Sequence, residues 1–131
     1  MSDGLQDKPR LLIVEDDYEN QKFLQIFLKR KFELEICDSS ETFYEKLESK
    51  KFDIILMDIN LGKGMSGVDT TREIKKIESY KNVPIVAITG FAMRGDKEEF
   101  IQAGCTHYLS KPFSKSKLIK LLNDIRKGKE A

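Results

Sequence analysis

No apolar run in this chain approaches the roughly 18 residues that span a bilayer, and its start, Met1 to Lys8, lacks the apolar core of a secretory leader. The expectation is a cytoplasmic protein without membrane insertion. Cysteine is scarce. Cys37 and Cys105 lie far apart, in no Cys-x-x-Cys or Cys/His spacing, and read as reduced thiols outside any disulfide, metal or redox role. Histidine is scarcer still: His107 stands alone at the head of a short apolar stretch, with no second ligand or nucleophile beside it. No sign of charge is in excess, since 23 basic residues face 22 acidic ones, so no global field recruits nucleic acid. Repeats and low-complexity tracts are also missing. The 131 residues suit one domain, expected over 10–128 between a flexible tail at 1–9 and a short tail at 129–131.

What the chain does have is a set of apolar runs that stop on polar side chains. Phe52 to Asn60 is of strand length and composition and carries Asp58 near its end, and Arg10 to Val14 runs straight into Glu15-Asp16-Asp17. Val83 to Ile88 ends on Thr89-Gly90, and His107 to Ser110 ends on Lys111-Pro112. Between them, helical spacing predicts five helices: Tyr18 to about Arg30, capped by Asp17; one started by Ser39 or Ser40 and running through Phe43, Tyr44 and Leu47; Val68 to about Glu78; Arg94 to Ala103, apolar through Phe100 and Ile101; and one capped by Ser114 with Leu118, Leu121, Leu122 and Ile125 inward. Phe32 to Cys37 alternates apolar with acidic residues, as a half-exposed edge strand does. Strands separated by helices imply parallel pairing through right-handed crossovers, hence an α/β, doubly wound sheet.

In such a sheet the carboxyl ends of the strands share one rim, where ligands bind. Glu15, Asp16 and Asp58 converging there to about 5 Å would repel by roughly 3 kcal/mol per pair at an effective dielectric near 20. A protonated member or a basic side chain could offset this, but a hard divalent cation with oxygen ligands fits best, and Mg²⁺ is the ordinary choice for an incomplete carboxylate cage.

Four segments together resemble the receiver domain of two-component response regulators: Val14-Glu15-Asp16-Asp17, Leu56-Met57-Asp58, Ala87-Ile88-Thr89-Gly90 and Tyr108-Leu109-Ser110-Lys111-Pro112-Phe113. The resemblance covers Leu11 to about Arg126. It implies a flavodoxin-like (βα)5 fold with five parallel strands in the order 2-1-3-4-5. It also implies that Asp58 accepts a phosphoryl group from a partner histidine kinase or histidine phosphotransfer protein, and that Glu15, Asp16, Asp58 and the backbone carbonyl of Asn60 hold Mg²⁺. Thr89 and Lys111 would contact the phosphoryl oxygens, and Thr89 and Tyr108 would carry the switch to the face made by the fourth helix, fifth strand and fifth helix, which a downstream protein reads. Slow autodephosphorylation would reset it. Their chemistry suits these roles: a hydroxyl donor, a compact cation on a flexible stem, and a carboxylate that can be nucleophilic once its charge is balanced.

The loop Leu61 to Gly67 departs from the family, with no proline and one residue more, and Gly90 and Phe91 also depart near the site. Its Gly-x-Gly-x-x-Gly spelling is not read as a dinucleotide fingerprint, because it follows the third strand and would set Asp58 against a pyrophosphate. A phosphoacceptor switch leads, ahead of a small Mg²⁺-dependent phosphohydrolase and of a receiver-like scaffold that never takes phosphate. Both a stand-alone receiver and a segment of a larger regulator or hybrid kinase are open.

Overall fold

Apolar runs without alternation belong to strands covered on both faces, and the computed structural model, which describes residues 8–39, 42–59, 66–90 and 96–128, has that arrangement. Its strands are β1 (Arg10–Val14), β2 (Glu33–Cys37), β3 (Ile54–Asp58), β4 (Ile85–Thr89) and β5 (His107–Ser110). All pair in parallel, in the order β2-β1-β3-β4-β5. The helices are α1 (Tyr18–Leu28), α2 (Phe43–Ser49), α3 (Gly67–Lys75), α4 (Asp96–Ala103) and α5 (Lys115–Arg126), with a 3₁₀ turn over Glu78–Tyr80. This is the doubly wound class and strand order expected.

The pleat divides each strand between two cores. Leu12, Val14, Ile55, Met57, Ile85 and Ala87 pack with α2, α3 and α4, whereas Leu11, Ile13, Leu56, Val86, Ile88 and Leu109 pack with α1 and α5. Side chains of period two thus give each face its own apolar layer. As expected of an edge, β2 is half-exposed. Its Glu35 carboxylate takes Lys46 and Lys50 of the α2 region at 3.1 and 2.8 Å. Both cysteines are free and buried.

Several sequence expectations are corrected. The second helix begins after Thr42, and not at Ser39; Ser40 lies outside the described residues. The Ser39 carbonyl, rather than its hydroxyl, does the local work, accepting the Thr42 N–H at 3.3 Å and the Cys37 thiol at 2.8 Å. Ile101 does not face the core: it is 55% exposed, because it follows the buried Phe100 by only 100° of helix rotation. The third helix stops at Lys75, where the chain tightens into the 3₁₀ turn. Gly104 closes α4 at φ +121°, its N–H and that of Cys105 both reaching the Phe100 carbonyl, a C-terminal motif that favours glycine.

Candidate functional site

Three local devices bring the site residues to the carboxyl rim. The Asp17 carboxylate caps α1 by accepting the Asn20 N–H at 2.9 Å, which turns the chain sharply after β1 and leaves Glu15 and Asp16 at its mouth. Glu15 is itself held: its Oε2 accepts the Asp17 N–H at 3.0 Å, and its carbonyl accepts Gln21 Nε2 at 2.6 Å. Ser66 caps α3 in the same way, through the Asp69 N–H at 3.1 Å. Gly67 then lies against the end of β3, donating its N–H to the Ile59 carbonyl at 3.1 Å. A Cβ at Gly67 would collide with the Asp58 carbonyl oxygen and stand 2.6 Å from the Ile59 Cα, so only glycine fits. Sequence reasoning noted Gly67 as part of a glycine-rich loop but not this contact; its place one residue after a serine cap, near a strand that ends on Asp, was the available signal.

Glu15 is 2% and Asp58 3% exposed, Asp16 is half-buried, and one carboxylate oxygen from each lies within 4.8 Å of the others. Burial pushes the Glu15 carboxyl up to about 7, helped by the negative charge of Asp58 and resisted by the Asp17 N–H. The Lys111 ammonium stands 3.9 Å from Asp58 Oδ1, its side chain one-third exposed. Thr89 is buried at the end of β4, and its carbonyl accepts the Lys111 N–H at 2.8 Å, which ties the two strand ends together. Tyr108 pairs with Ala87 on the α4 side of β5 and is 38% exposed. The structure therefore brings Glu15, Asp16, Asp58, Thr89 and Lys111 to one rim and sets Tyr108 further down β5. Asn60, most of the 61–67 loop and Phe91 lie outside the described residues. His107 sits with its Nδ1 2.8 Å from the Thr106 hydroxyl, away from the acids.

Carboxylates crowded to this degree with one ammonium nearby are an oxygen-donor set for a hard cation, and the residues fit Mg²⁺. A five-stranded parallel sheet in this order, with buried acids where β1 and β3 meet the rim, defines a flavodoxin-like α/β protein whose acids stand at the switch point of the sheet, where ligands of such folds bind. The family model for the response regulator receiver domain matches residues 11–123, and the chain belongs to that family. It is 35% identical over 122 residues to the hybrid signal transduction histidine kinase I of Dictyostelium discoideum, covering 87% of this chain but only 7% of the kinase. It is 34% identical over 113 residues to the polar-differentiation response regulator DivK of Brucella ovis, covering 86% of this chain and 91% of DivK. Among solved structures, the receiver domain of the sensor histidine kinase PA1611 from Pseudomonas aeruginosa PAO1, which has a magnesium ion in its active site cleft, superposes with a TM-score of 0.80 at 34% identity, covering 88% of this chain and 94% of that one. No helix among the described residues is long and apolar enough to cross a membrane.

Proposed function

We propose that this receiver domain is a phosphoacceptor switch in which Asp58 takes a phosphoryl group from a partner phosphohistidine. The observation that carries the reading is the meeting of three carboxylates within 4.8 Å at the rim, with the Lys111 ammonium 3.9 Å from Asp58. Glu15, Asp16 and Asp58, with the Asn60 carbonyl, would hold Mg²⁺. When bound, that ion supplies charge neutralisation for the carboxylates and the transferring phosphoryl group.

Phosphoryl transfer asks mainly for position and charge balance. An Asp58 Oδ attacks phosphorus as the P–N bond of the phosphohistidine breaks; the imidazole nitrogen keeps the bonding pair, is protonated and leaves, and Asp58 becomes an acyl phosphate. Lys111 swings its ammonium onto one phosphoryl oxygen, and the Thr89 hydroxyl donates to another. Moving Thr89 empties space beside β5 that the Tyr108 ring enters, repacking the α4–β5–α5 face for a downstream protein. That is a shift between two packings biased by a new charge. Attack of water on the acyl phosphate slowly resets it. The partners are proteins and not nucleic acid, and the setting is the cytoplasm. A phosphohydrolase of the haloacid-dehalogenase type wants Asp-x-Asp, whereas Asn60 follows Asp58 by two.

The test is phosphoryl uptake from acetyl phosphate with Mg²⁺, read by intact mass. Wild type gains one phosphoryl group and Asp58→Asn gains none; equal uptake by the variant overturns the reading.

A further inference from the structure

We propose that the amino rim of the sheet, at the opposite end of the strands from Asp58, binds a guanine nucleotide. A cavity of about 490 Å³ opens there where β1, β3 and β4 begin, within the roughly 300–1,000 Å³ of small-ligand sites. Pro9, Ile54, Pro84 and Ile125 make its floor. Proline carries no N–H, and the Pro9 and Pro84 carbonyls accept the Glu33 and Ile55 N–H groups at 2.9 and 3.0 Å, so the floor presents ring faces and methyl groups with its backbone engaged. A flat apolar ring suits it.

Three charged side chains stand on the wall: Lys8, Arg126 and Asp53. They share one cavity, yet among the described residues Asp53 pairs with neither cation. The Lys8 ammonium donates once, to the Lys29 carbonyl at 3.5 Å, and the Arg126 guanidinium has only the Phe32 ring near it, at 5.9 Å. Asp53 Oδ2 accepts the Arg10 N–H at 2.8 Å, whereas Oδ1 accepts nothing from the described residues. Donors and an acceptor are therefore left over on opposite sides of one hollow. The dipole of α5 accounts for Arg126 in its last turn. It does not account for Lys8, which precedes a strand, nor for a carboxylate held by a backbone N–H between two strand entries that carry proline.

The pattern selects the occupant. Phosphate meets Lys8 and Arg126, a planar base covers the prolines, and N–H groups of the base reach Asp53. Of the common bases, guanine sets a ring N–H beside an exocyclic amino group, a fork that a carboxylate accepts, whereas adenine would turn a ring acceptor toward the same lone pairs. An acidic peptide would satisfy the cations but press its carboxylates toward Asp53.

The experiment titrates GDP, ADP, inorganic phosphate and tetraglutamate into the nitrogen-labelled chain in chelator buffer, which keeps Mg²⁺ off the acid rim, and follows the amide spectrum. GDP should shift the Ile54, Ile125 and Arg126 amides with a Kd on the order of 10–100 µM, and ADP should bind at least about tenfold more weakly. Asp53→Asn keeps an oxygen for the Arg10 N–H and should bring the two nucleotides level. Lys8→Gln with Arg126→Gln should weaken GDP by about tenfold at low salt. No saturable shift by about 1 mM GDP, equal affinity for ADP, or an unchanged preference in Asp53→Asn would overturn the proposal. Phosphate or tetraglutamate matching GDP would reduce the cavity to an anion patch and overturn it as well, as would shifts confined to the Glu15 and Asp58 amides.

Discussion

The two rims of the sheet treat polar groups in opposite ways. At the amino rim the buried ones are matched. The half-buried Lys75 ammonium reaches the carbonyls of Val83, Lys81 and Tyr80 at 2.6, 3.2 and 3.4 Å, and the Tyr80 hydroxyl accepts the Phe52 N–H at 3.1 Å while donating to the Lys50 carbonyl at 3.2 Å. At the carboxyl rim, three acids are pressed together, and the Lys111 ammonium stands 3.9 Å from one of them, Asp58. One end of the molecule is arranged for stability, and the other crowds negative charge that a cation would offset. That difference is open to experiment.

The largest expected effect is on the pH dependence of the metal-free protein. Glu15 has an ordinary value of 4.5 and stands at about 7 in the fold. Between those values the native state holds a proton that the unfolded chain releases, so stability falls as pH rises through the window, by up to roughly 3 kcal/mol. Glu35, whose carboxyl is lowered by hydrogen bonds from Lys50 and Lys46, acts in the opposite sense but below its ordinary value, outside that window. Urea unfolding in chelator buffers from about pH 4.5 to 7.5 should show the decline, Glu15→Gln should flatten it, and Mg²⁺ at the upper end should restore stability. A flat profile in wild type would mean that burial beside Asp58 leaves Glu15 an ordinary carboxyl.

Next comes Gly67, where α3 starts against the end of β3. Gly67→Ala forces the strand end and the helix apart, at about 1–3 kcal/mol by the usual scale of overpacking. Because the Asp58 carbonyl is the first atom a Cβ would meet, the shift reaches the site. Labelling by acetyl phosphate should fall by on the order of tenfold or more, as small misplacements of reacting groups do. Wild-type labelling in a destabilised Gly67→Ala protein would uncouple the α3 start from the acid cluster.

Most of the fold and the makeup of the acid cluster were legible in the sequence because their signals are local. A buried parallel strand needs an unbroken apolar run, and Asp17, Ser66 and Ser114 each accept the N–H three residues on, a bond set by chain geometry alone. Of these caps, Asp17 and Ser114 were read in advance. Misreadings arose where tertiary docking decides. Ser39 has the chemistry of a cap but is 5% exposed, with its carbonyl turned to Thr42; Ile101 has the chemistry of a core residue but the wrong azimuth. The Gly67 contact joins elements that the loop separates, and Lys75 is an unremarkable lysine until the 80–83 segment folds over it. None of these follows from period or propensity.

The smallest effect sharpens the contrast from the other end. Tyr80 is 2% exposed, and burial raises its phenol above the ordinary value, so the hydroxyl is a constant bridge between the Phe52 N–H and the Lys50 carbonyl. Tyr80→Phe keeps the ring that packs beneath α3 and removes only the bridge. The Phe52 N–H is left buried without that acceptor, at about 1–2 kcal/mol. The loss should be the same at every pH below the tyrosine range, unlike the Glu15 effect, and acetyl phosphate should label Asp58 at the wild-type rate, since the substitution lies at the opposite end of the strands. Equilibrium unfolding and intact-mass labelling on the same sample test both halves. A labelling rate that dropped with Tyr80→Phe would show that bonds at the amino rim set the geometry of the acids, and the division between a stabilising end and a reacting end would fail.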